Sequence, residues 1–597
     1  LLWILPAAVI LVAAANPPGW LWSSSEAAGY DVLEYHLQLP QEWAAGERLW
    51  PLKHNVYSFL PSYLEAGYTH IAAILGAGAA GKSPTGSIGL LAHEGAGAVA
   101  CQFLHAGFGL IASLVVARIV CLLLKQAGLT GRGPAEIGAI AGAILLSLPW
   151  MVVVSSMAYN EAAVNAMMAA AILAAIDSAT PAARRGLMSG LLVGLACACK
   201  PTAAFMVAPV AGILLLGRMP ARQWAGACAL GACGALATVA PFAIRNWIAS
   251  GNPVFPAAAN WFSSAHWTAE QMARFARAHS EPGSLAQRLG LLLAMSGENP
   301  GQEPRGMFHS QWAALWPVGA AALVLAASWS KLRRDIALMT IGSLVALFWW
   351  LSFSHCQSRF LLPLAVVLAG GVGLAIGRML QWHRQGVQPA LMRVGCLVLG
   401  ALPLFLAGAS SQLLLTQQQG YPNLFLGEGT SRRSGDFIPA DMRLLNDDQR
   451  AALMAAIAPE SFINNFVRDG KVLMVGGATP LYFRGSLTGL VVYHTTWDTS
   501  PLGLAMRAHP AQPPLWTEAL RARGIQYVLV DFSEVARLTR DGWSDPDVTL
   551  DAVVHWVLEC TEPVHEWPAD RPDGTLPIQG LYRLKSVGDS PGAGATS

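Results

Sequence analysis

Charged side chains are scarce in this sequence. Asp, Glu, Lys and Arg together account for 12% of the 597 residues, and hydrophobic residues for 54%, whereas an average soluble domain carries about 25% charged residues. A soluble globule of this length needs more charge to cover its surface, so the composition excludes a wholly soluble protein. The formal net charge is only +2, which does not indicate nucleic-acid binding, and we expect no nucleic-acid partner.

Cysteine is also rare, and its placement argues against a disulfide framework. Most of the nine cysteines lie inside apolar runs, and Cys560 is the one that falls clearly in the polar C-terminal part. Cys197 and Cys199 form a CxC pattern, but on a helix their side chains point roughly 200° apart. We interpret them as small apolar residues rather than as a metal-binding pair.

Apolar runs long enough to cross a bilayer recur along the first 415 positions. We predict about eleven membrane-spanning helices. They cover residues 1–15, 97–124, 136–154, 160–178, 186–199, 202–217, 224–245, 311–330, 335–353, 359–377 and 394–415. We interpret the first run as the remnant of a span rather than as a signal peptide. The fifth and sixth spans are short and are separated only by Lys200-Pro201.

The loops between these spans alternate in charge. One set is short and basic, comprising 125–132, 184–185, 218–222, 331–334 and 378–393. The positive-inside rule assigns such loops to the cytoplasmic face. The opposite face then carries the loop 16–96, the loop 245–310 and everything after about 416. We therefore expect a multi-pass protein of the cytoplasmic (inner) membrane whose C-terminal domain lies on the periplasmic or extracellular side.

The sequence predicts two domains, a mainly α-helical membrane domain over 1–415 and a small soluble α/β domain over 416–597. Within the first, helices at about 31–75 are expected to lie at the outer membrane interface. In the second, 471–475 and 524–531 are typical of buried parallel strands, and 515–523 of a helix. Gly476-Gly477 resembles a nucleotide-binding turn, but without GxGxxG we interpret it as a structural turn.

The most informative polar residues follow the first span. Asp31 and Glu34 are three residues apart, so on an α-helix they share a face, with Tyr35 and His36 beside them. A carboxylate at a membrane interface can act as a general base toward a hydroxyl. The alternative is a solvated helix start, where an acidic residue favours the helix dipole.

Further polar residues recur at the same predicted depth. They are Asn55, Glu65, Tyr159, Asn160, Glu161, Lys200, Arg245, His355 and Arg359. Ionisable groups in membrane segments are costly and therefore candidates for function, although each arginine alone fits an interface anchor equally well. Together they predict one outer cavity in which cations stabilise a phosphate leaving group and a carboxylate takes a proton.

These residues fall in segments that resemble a known superfamily. The segments are Asp31-Val-Leu-Glu-Tyr-His-Leu-Gln-Leu-Pro40, Asn55-Val-Tyr-Ser-Phe-Leu-Pro61, Lys200-Pro-Thr-Ala203, Pro241-Phe-Ala-Ile-Arg-Asn246, Gly251-Asn-Pro-Val-Phe-Pro256 and Arg359-Phe-Leu-Leu-Pro363. In order and placement they resemble the GT-C membrane glycosyltransferases, most closely the bacterial branch related to protein O-mannosyltransferases and the lipid A aminoarabinose transferase. The resemblance covers about two thirds of the chain.

The resemblance implies a polyprenyl-phosphate sugar as donor and a glycan, lipid or protein as acceptor. It implies that Asp31 activates the acceptor hydroxyl, with inversion at the anomeric carbon. Glu34 or Glu65 is the candidate second acid, and we prefer Glu34 for its shared face. Charge and depth make Lys200, Arg245 and Arg359 candidates for the donor phosphate. The first outer loop has no DxD motif, so we expect no cofactor and doubt a divalent metal.

Two other functions also fit many spans around a cationic cavity. A transporter or flippase of lipid-linked glycans fits, but it needs neither Asp31 nor a large outer domain, and the sequence has no evident internal repeat. A non-catalytic scaffold of GT-C type also fits, although the presence of Asp31 argues against it.

Overall fold

The computed structural model describes residues 2–19, 21–22, 29–75, 89–293, 307, 309–416, 459–467, 469–567 and 575–585. Leu1 lies outside this part of the chain, and so do residues 417–458, which belong to the start of the predicted C-terminal domain. The described residues form a large helical part and a small sheet with flanking helices.

The helical part extends to residue 416. In chain order its elements are α1 (Ile4–Ala14), a π-helical turn (Val32–His36), α2 (Gln38–Ala45), a 3-10 turn (Val56–Phe59), α3 (Tyr63–Ile74), α4 (Ala92–Gln126), α5 (Gly133–Ser147), α6 (Pro149–Ser155), α7 (Glu161–Ile176), α8 (Ala182–Cys199), α9 (Ala203–Met206), α10 (Ala208–Gly217), α11 (Trp224–Ser250), α12 (Ala269–Ala278), α13 (Leu285–Leu293), α14 (Leu315–Ala327), α15 (Arg333–Phe353), a 3-10 turn (Ser358–Leu361), α16 (Leu362–Arg384) and α17 (Pro389–Thr416).

Six of these helices are long and apolar enough to cross a membrane, namely α4, α8, α11, α15, α16 and α17. The α5–α6 pair, bent by 65°, makes a seventh candidate, and α1, α7, α9–α10 and α14 are shorter apolar helices. Within the described residues, each predicted span coincides with one of these units. The count of eleven crossings is not confirmed, because the shorter helices have only 10–17 residues. The coarser conclusion holds that the chain is a multi-pass membrane protein.

Two breaks in the helical part have the same local cause. Leu148 and Lys200 both adopt extended backbone conformations, and each precedes a proline. A proline disfavours the α conformation of the residue before it, so α5 ends before α6 and α8 ends before α9. The break at Lys200-Pro201 leaves the lysine between two helices rather than inside one.

Small residues bring the membrane helices close together. Gly186, Gly190 and Gly194 are spaced four apart on α8 and face α11 at Ala227, at Gly231 and at Ala235 and Thr238 respectively, where an added Cβ atom would clash. This is the small-residue packing typical of membrane helices, which lack a hydrophobic driving force for association. The central helix is α16, which packs against α4, α5, α14 and α17.

The C-terminal part is an α/β unit, as predicted. Its elements are α18 (Pro459–Phe466), β1 (Lys471–Val475), β2 (Val491–Val492), α19 (Pro501–Ala508), α20 (Pro513–Arg521), β3 (Ile525–Asp531), α21 (Phe532–Arg540), α22 (Leu550–Cys560), β4 (Thr561–Trp567) and β5 (Gln579–Leu584). The strand order is β2-β1-β3-β5-β4. The two strands predicted from the sequence, β1 and β3, are adjacent and parallel, whereas β5 pairs antiparallel with β3 and β4.

Gly476 confirms the structural interpretation of the Gly-Gly pair. Its φ is +90°, a conformation that favours glycine. An added Cβ would lie 2.7 Å from the carbonyl oxygen of Asp531 and 2.8 Å from a methyl group of Val535. The glycine is therefore required by the close approach of the segment that follows β3.

Candidate active site

Asp31 lies at the start of the π-helical turn and forms an ion pair with Arg359. The arginine belongs to the 3-10 turn that precedes α16. In the apolar stretch with which α16 could cross a membrane, 94% of the residues are buried. Arg359 is therefore held at the start of a firmly packed helix. The carboxylate of Asp31 in the loop 16–96 and the cation that precedes α16 therefore meet, as the sequence predicted.

Two further charges extend this pair into a cluster. The Oε1 atom of Glu161 lies 2.5 Å from Lys200 Nζ and 3.6 Å from Arg359 Nε. The Lys200 ammonium lies 4.3 Å from the centroid of the Phe360 ring, and the Arg359 guanidinium 4.7 Å from that of Tyr159. Aromatic faces hold cations in place. Glu161 Oε1 thus joins Lys200 to Arg359, and Arg359 also pairs with Asp31. The rings of Phe360 and Tyr159 hold the two cations in place.

The local sequence explains how these side chains reach one another. Glu161 is the first residue of α7, and Lys200 occupies the break before Pro201. Both side chains are largely buried, with exposed fractions of 3% for Glu161 and 15% for Lys200. Buried charges are tolerated when they are paired. Each member of the cluster therefore comes from a helix end or a helix break.

A cleft with about 240 Å³ of empty space, the part open to solvent included, adjoins this cluster. Glu161, Lys200 and Arg359 line its polar wall. Its apolar wall is formed by Val164, Ala203, Met206 and Pro363, among others. A headgroup with a negative charge and an apolar tail matches the two walls.

The pKa values of Asp31 and Glu34 are shifted in opposite directions. Burial alone would raise the pKa of Asp31, but Arg359, His36 and Lys200 outweigh burial and hold that pKa below its usual value. Burial, assisted by the charge of Asp31, raises the pKa of Glu34 well above its usual value. Asp31 is therefore ionised at neutral pH, and Glu34 keeps its proton to a higher pH than Asp31 does.

The helical geometry expected around Asp31 is wrong in one respect. Val32–His36 is a π-helical turn rather than part of an α-helix, so the three-residue spacing no longer places Asp31 and Glu34 one above the other. Apart from Asp31, the charged neighbours of Glu34 are Asp498, Glu534 and Arg537 of the C-terminal unit. The charge state of Glu34 therefore depends on both Asp31 and that unit.

Glu65, the alternative second acid, belongs to a separate buried network. His36 Nδ1 lies 2.6 Å from Glu65 Oε1, and the Asn160 amide donates to the Cys199 carbonyl at 2.8 Å. The ring of His36 meets the edge of Tyr159. Among the described residues, Glu65 Oε2 and Asn160 Oδ1 are buried without a hydrogen-bond partner. This network fixes the imidazole that helps to lower the pKa of Asp31.

The structure does not bring Arg245 or His355 into the cluster. Arg245 donates to the carbonyl oxygens of Ser58 and Leu60 at 2.9 and 3.2 Å, and it is absent from the lining of the cleft. These contacts tie it to the loop 16–96, while its Nη1 atom is buried without a hydrogen-bond partner among the described residues. Its assignment to the donor phosphate stays a prediction. The His355 ring packs against His279 and Phe360.

Contacts made by Asn55 and Tyr35 hold the π-helical turn that follows Asp31. The Asn55 amide donates to the backbone carbonyl of Glu34 at 3.1 Å. Tyr35 stacks on Tyr57 with ring centroids 4.3 Å apart, and the Tyr57 hydroxyl accepts from Trp497 Nε1 at 2.9 Å. Trp497 lies in the C-terminal unit, so that unit reaches the candidate base through two aromatic side chains.

Asp498 connects the C-terminal unit to the loops 16–96 and 245–310, which were predicted to lie on the outer face. The sequence did not predict a role for this residue. Its carboxylate accepts from the Val56 backbone N–H at 2.8 Å, from Trp267 Nε1 at 2.8 Å and from the Thr495 hydroxyl at 2.6 Å. The three donors come from the loop 16–96, the loop 245–310 and the C-terminal unit. The useful signal is its position after β2, because the carboxyl ends of parallel strands carry functional side chains.

Among the residues that the structure describes, no group of three or more His, Cys, Asp or Glu side chains is arranged to hold a metal ion. The carboxyl groups of the site have the neighbours described above instead of a metal-binding arrangement. These groups belong to Asp31, Glu34, Glu65 and Glu161.

Comparisons with known proteins define the fold. No protein-family model matches the sequence, and no curated protein matches it significantly. Among solved structures, ArnT of Cupriavidus metallidurans in the apo state aligns with a TM-score of 0.55 at 14% identity, over 98% of this chain and 97% of ArnT. The chain has a GT-C fold.

A second GT-C structure agrees at lower similarity. The oligosaccharyltransferase AglB of Archaeoglobus fulgidus aligns with a TM-score of 0.51 at 14% identity, over 91% of this chain and 71% of AglB. ArnT has been solved with undecaprenyl phosphate, and AglB with an inhibitory peptide and a dolichol-phosphate. At such identities, the likeness establishes the GT-C fold alone.

Proposed function

We propose that this chain is a glycosyltransferase that moves a sugar from a polyprenyl-phosphate donor to an acceptor hydroxyl on the outer face of the cytoplasmic membrane. The observation that carries the proposal is the Asp31–Arg359 ion pair beside a cleft lined by Lys200 and Glu161. It joins a candidate base to a cationic, partly apolar cleft. The lipid phosphates bound by ArnT and AglB support a donor of this class.

Lys200 and Arg359 are the proposed ligands of the donor phosphate. Both cations line the cleft, and their charges are balanced there by Glu161 and Asp31. A phosphate entering the cleft offers each cation an additional anionic partner. As the bond between the sugar and the phosphate breaks, negative charge grows on the leaving oxygen, and preorganised cations stabilise that charge.

Asp31 is the proposed general base. Its lowered pKa keeps it ionised at neutral pH, so it is ready to accept the proton of the acceptor hydroxyl. The hydroxyl oxygen forms a bond to the anomeric carbon, the carbon–oxygen bond to phosphate breaks, and the polyprenyl phosphate leaves with the bonding electron pair. A single displacement of this kind inverts the anomeric carbon.

The proposed topology has eleven crossings, with the site on the outer face. Contacts between the loop 16–96, the loop 245–310 and the C-terminal unit support one common side for them, because Asp498 binds all three. The positive-inside rule assigns the short basic loops to the cytoplasm. The acceptor is a glycan, a lipid or a protein, and the proposed reaction needs no divalent metal, so a chelator is expected to leave the rate unchanged.

The test is transfer from radiolabelled polyprenyl-phosphate sugars in membranes that carry the intact chain or Asp31→Asn. Transfer that disappears in a normally folded Asp31→Asn variant supports the proposal. Transfer that Asp31→Asn leaves unchanged removes Asp31 as the base and directs attention to Glu34. If no donor is used and the chain instead moves lipid-linked sugars across liposome membranes, the transferase proposal is wrong and a flippase replaces it.

A further inference from the structure

A second recess lies in the C-terminal unit, away from the charged cluster. It has about 460 Å³ of empty space, the part open to solvent included. It opens at the carboxyl ends of β1 and β3, where Gly476 and Val535 line it. The chain passes from β1 to β2 on one side and then to β3 on the other side of β1. Such a switch point is where open parallel sheets bind ligands.

The recess is not built for an anion. No lysine or arginine is among its described lining residues. Its two carboxylates already have partners, since Asp498 accepts three hydrogen bonds and Asp545 accepts two from Arg507 at 2.7 and 2.9 Å. The recess therefore offers a phosphate no positive charge, and both of its carboxylates already have hydrogen-bond partners.

The remaining polar groups suit a neutral ligand with many hydroxyl groups. Thr496 and Ser544 line the recess, and within the described residues neither side-chain hydroxyl is used in a hydrogen bond. Burial lowers the pKa of His494, so its ring is neutral; Nδ1 donates to the Thr495 carbonyl at 2.9 Å, and Nε2 remains as an acceptor. Val475 and Val535 supply an apolar surface for carbon–hydrogen faces. A sugar combines both kinds of surface.

One segment of backbone separates this recess from the Asp31 loop. His494, Thr496, Asp498 and Ser500 face the recess. The alternate residues contact the first outer loop: the Tyr493 hydroxyl donates to Glu42 at 2.5 Å, the Thr495 N–H donates to the His54 carbonyl at 3.0 Å, and Trp497 Nε1 donates to Tyr57. Thr496 and Trp497 lie in a turn in which the Asp498 N–H donates to the Thr495 carbonyl at 3.1 Å, and Asp498 contacts both the loop and the recess. The segment 493–500 is thus a shared wall.

We propose that this recess is a carbohydrate-binding site that holds a neutral sugar unit of the acceptor, and that the wall 493–500 couples its occupancy to the Asp31 loop. Assignment of the sugar to the acceptor rests on the proposed function, whereas binding does not. The site makes the acceptor a glycan, with a sugar other than the reacting one held outside the charged cleft.

The test uses the purified full chain in lipid nanodiscs and measures saturation-transfer NMR with neutral methyl glycosides of glucose, mannose and arabinose. Glucose 6-phosphate is the charged comparison. We expect saturable transfer to at least one neutral glycoside and none to the phosphate. Thr496→Val and Ser544→Val each remove one hydroxyl and are expected to weaken binding roughly 2- to 10-fold. Thr488→Val, an exposed hydroxyl elsewhere in the unit, is the matched control.

Coupling is measured by hydrogen exchange on the same samples. The bound glycoside is expected to slow exchange in 493–500 and in 54–57, and both effects are expected to weaken in Thr496→Val. Absence of transfer to every neutral glycoside, or transfer unchanged by both recess variants, overturns the carbohydrate site. Because none of these measurements needs sugar transfer, they separate failure of this site from failure of the transferase.

Discussion

The carboxylate of Asp498 accepts a hydrogen bond from the backbone N–H of Val56 at 2.8 Å, which ties the C-terminal unit to the loop that carries the candidate base. Trp267 of the second outer loop donates to the other oxygen of the same carboxylate. Because Asn55 and Tyr57 flank Val56 and contact Glu34 and Tyr35, this carboxylate acts on the Asp31 turn through the loop.

Replacing Asp498 with alanine is expected to loosen this junction. The change leaves the Val56 N–H and the Trp267 indole without their acceptor in a buried place, which costs about 1–3 kcal/mol per group. We expect faster hydrogen exchange at 54–57, a lower melting temperature and reduced kcat. Asp547→Ala, whose carboxylate lies exposed beside Arg507, is the control. Exchange at 54–57 equal to that of the intact chain would contradict the role.

Arg359→Gln is expected to shift the pH dependence of transfer. Arg359 is the largest favourable influence that holds the pKa of Asp31 below its usual value, so its removal raises that pKa. The base must be ionised, and the acidic limb of the kcat/KM profile therefore moves to higher pH. Arg378→Gln, at the far end of α16, serves as the control. A lower rate with an unmoved acidic limb would confine Arg359 to phosphate binding.

Lys200→Met is expected to act mainly on the donor. It removes a cation that lines the cleft, while Glu161 keeps Arg359 as a partner 3.6 Å away. Loss of a hydrogen bond to a charged group weakens binding roughly 10- to 100-fold, so we expect KM for the donor to rise by about that factor. Titration of the donor at fixed acceptor measures it. An unchanged KM would exclude Lys200 from the phosphate site.

Gly190→Leu is expected to separate α8 from α11. An added side chain at this position meets the backbone of Gly231, and packed helices cannot absorb that volume without shifting. The matched variant is Gly212→Leu on α10, where an added Cβ meets nothing within 4 Å. Yield and thermal stability in detergent measure both. Equal stability of the two variants would show that the α8–α11 contact is not tight.

The arrangement of the spans could be predicted because each depends on local sequence. Apolar runs and charge alternation along the chain place the helices, and Pro201 explains why Lys200 sits in a break. The meeting of Asp31 with Arg359 was also predicted, since both were placed at outer helix ends. Hydrophobicity and proline geometry are properties of short segments, and folding does not change them.

Other features depend on contacts that no short segment contains. The π-helical turn at Val32–His36 has the composition of an α-helix and differs from it in the packing around it. Arg245 has the same charge as Arg359, yet its Nη2 atom donates to the carbonyls of Ser58 and Leu60. Asp498 owes its role to partners more than 200 positions away in the sequence.

The junction at Asp498 also bears on the order in which the protein is made. Domains generally fold as units, beginning at the N-terminus during synthesis, so the helices that carry Asp31, Lys200 and Arg359 are inserted before residue 498 has been translated. The first outer loop must therefore wait for its last hydrogen-bond acceptor until the C-terminal unit has reached the same side of the membrane. A chain cut short after α17 would possess every charge of the cluster and lack the acceptor that fixes its loop. The site is thus complete only after the C-terminal unit has been synthesised and has folded.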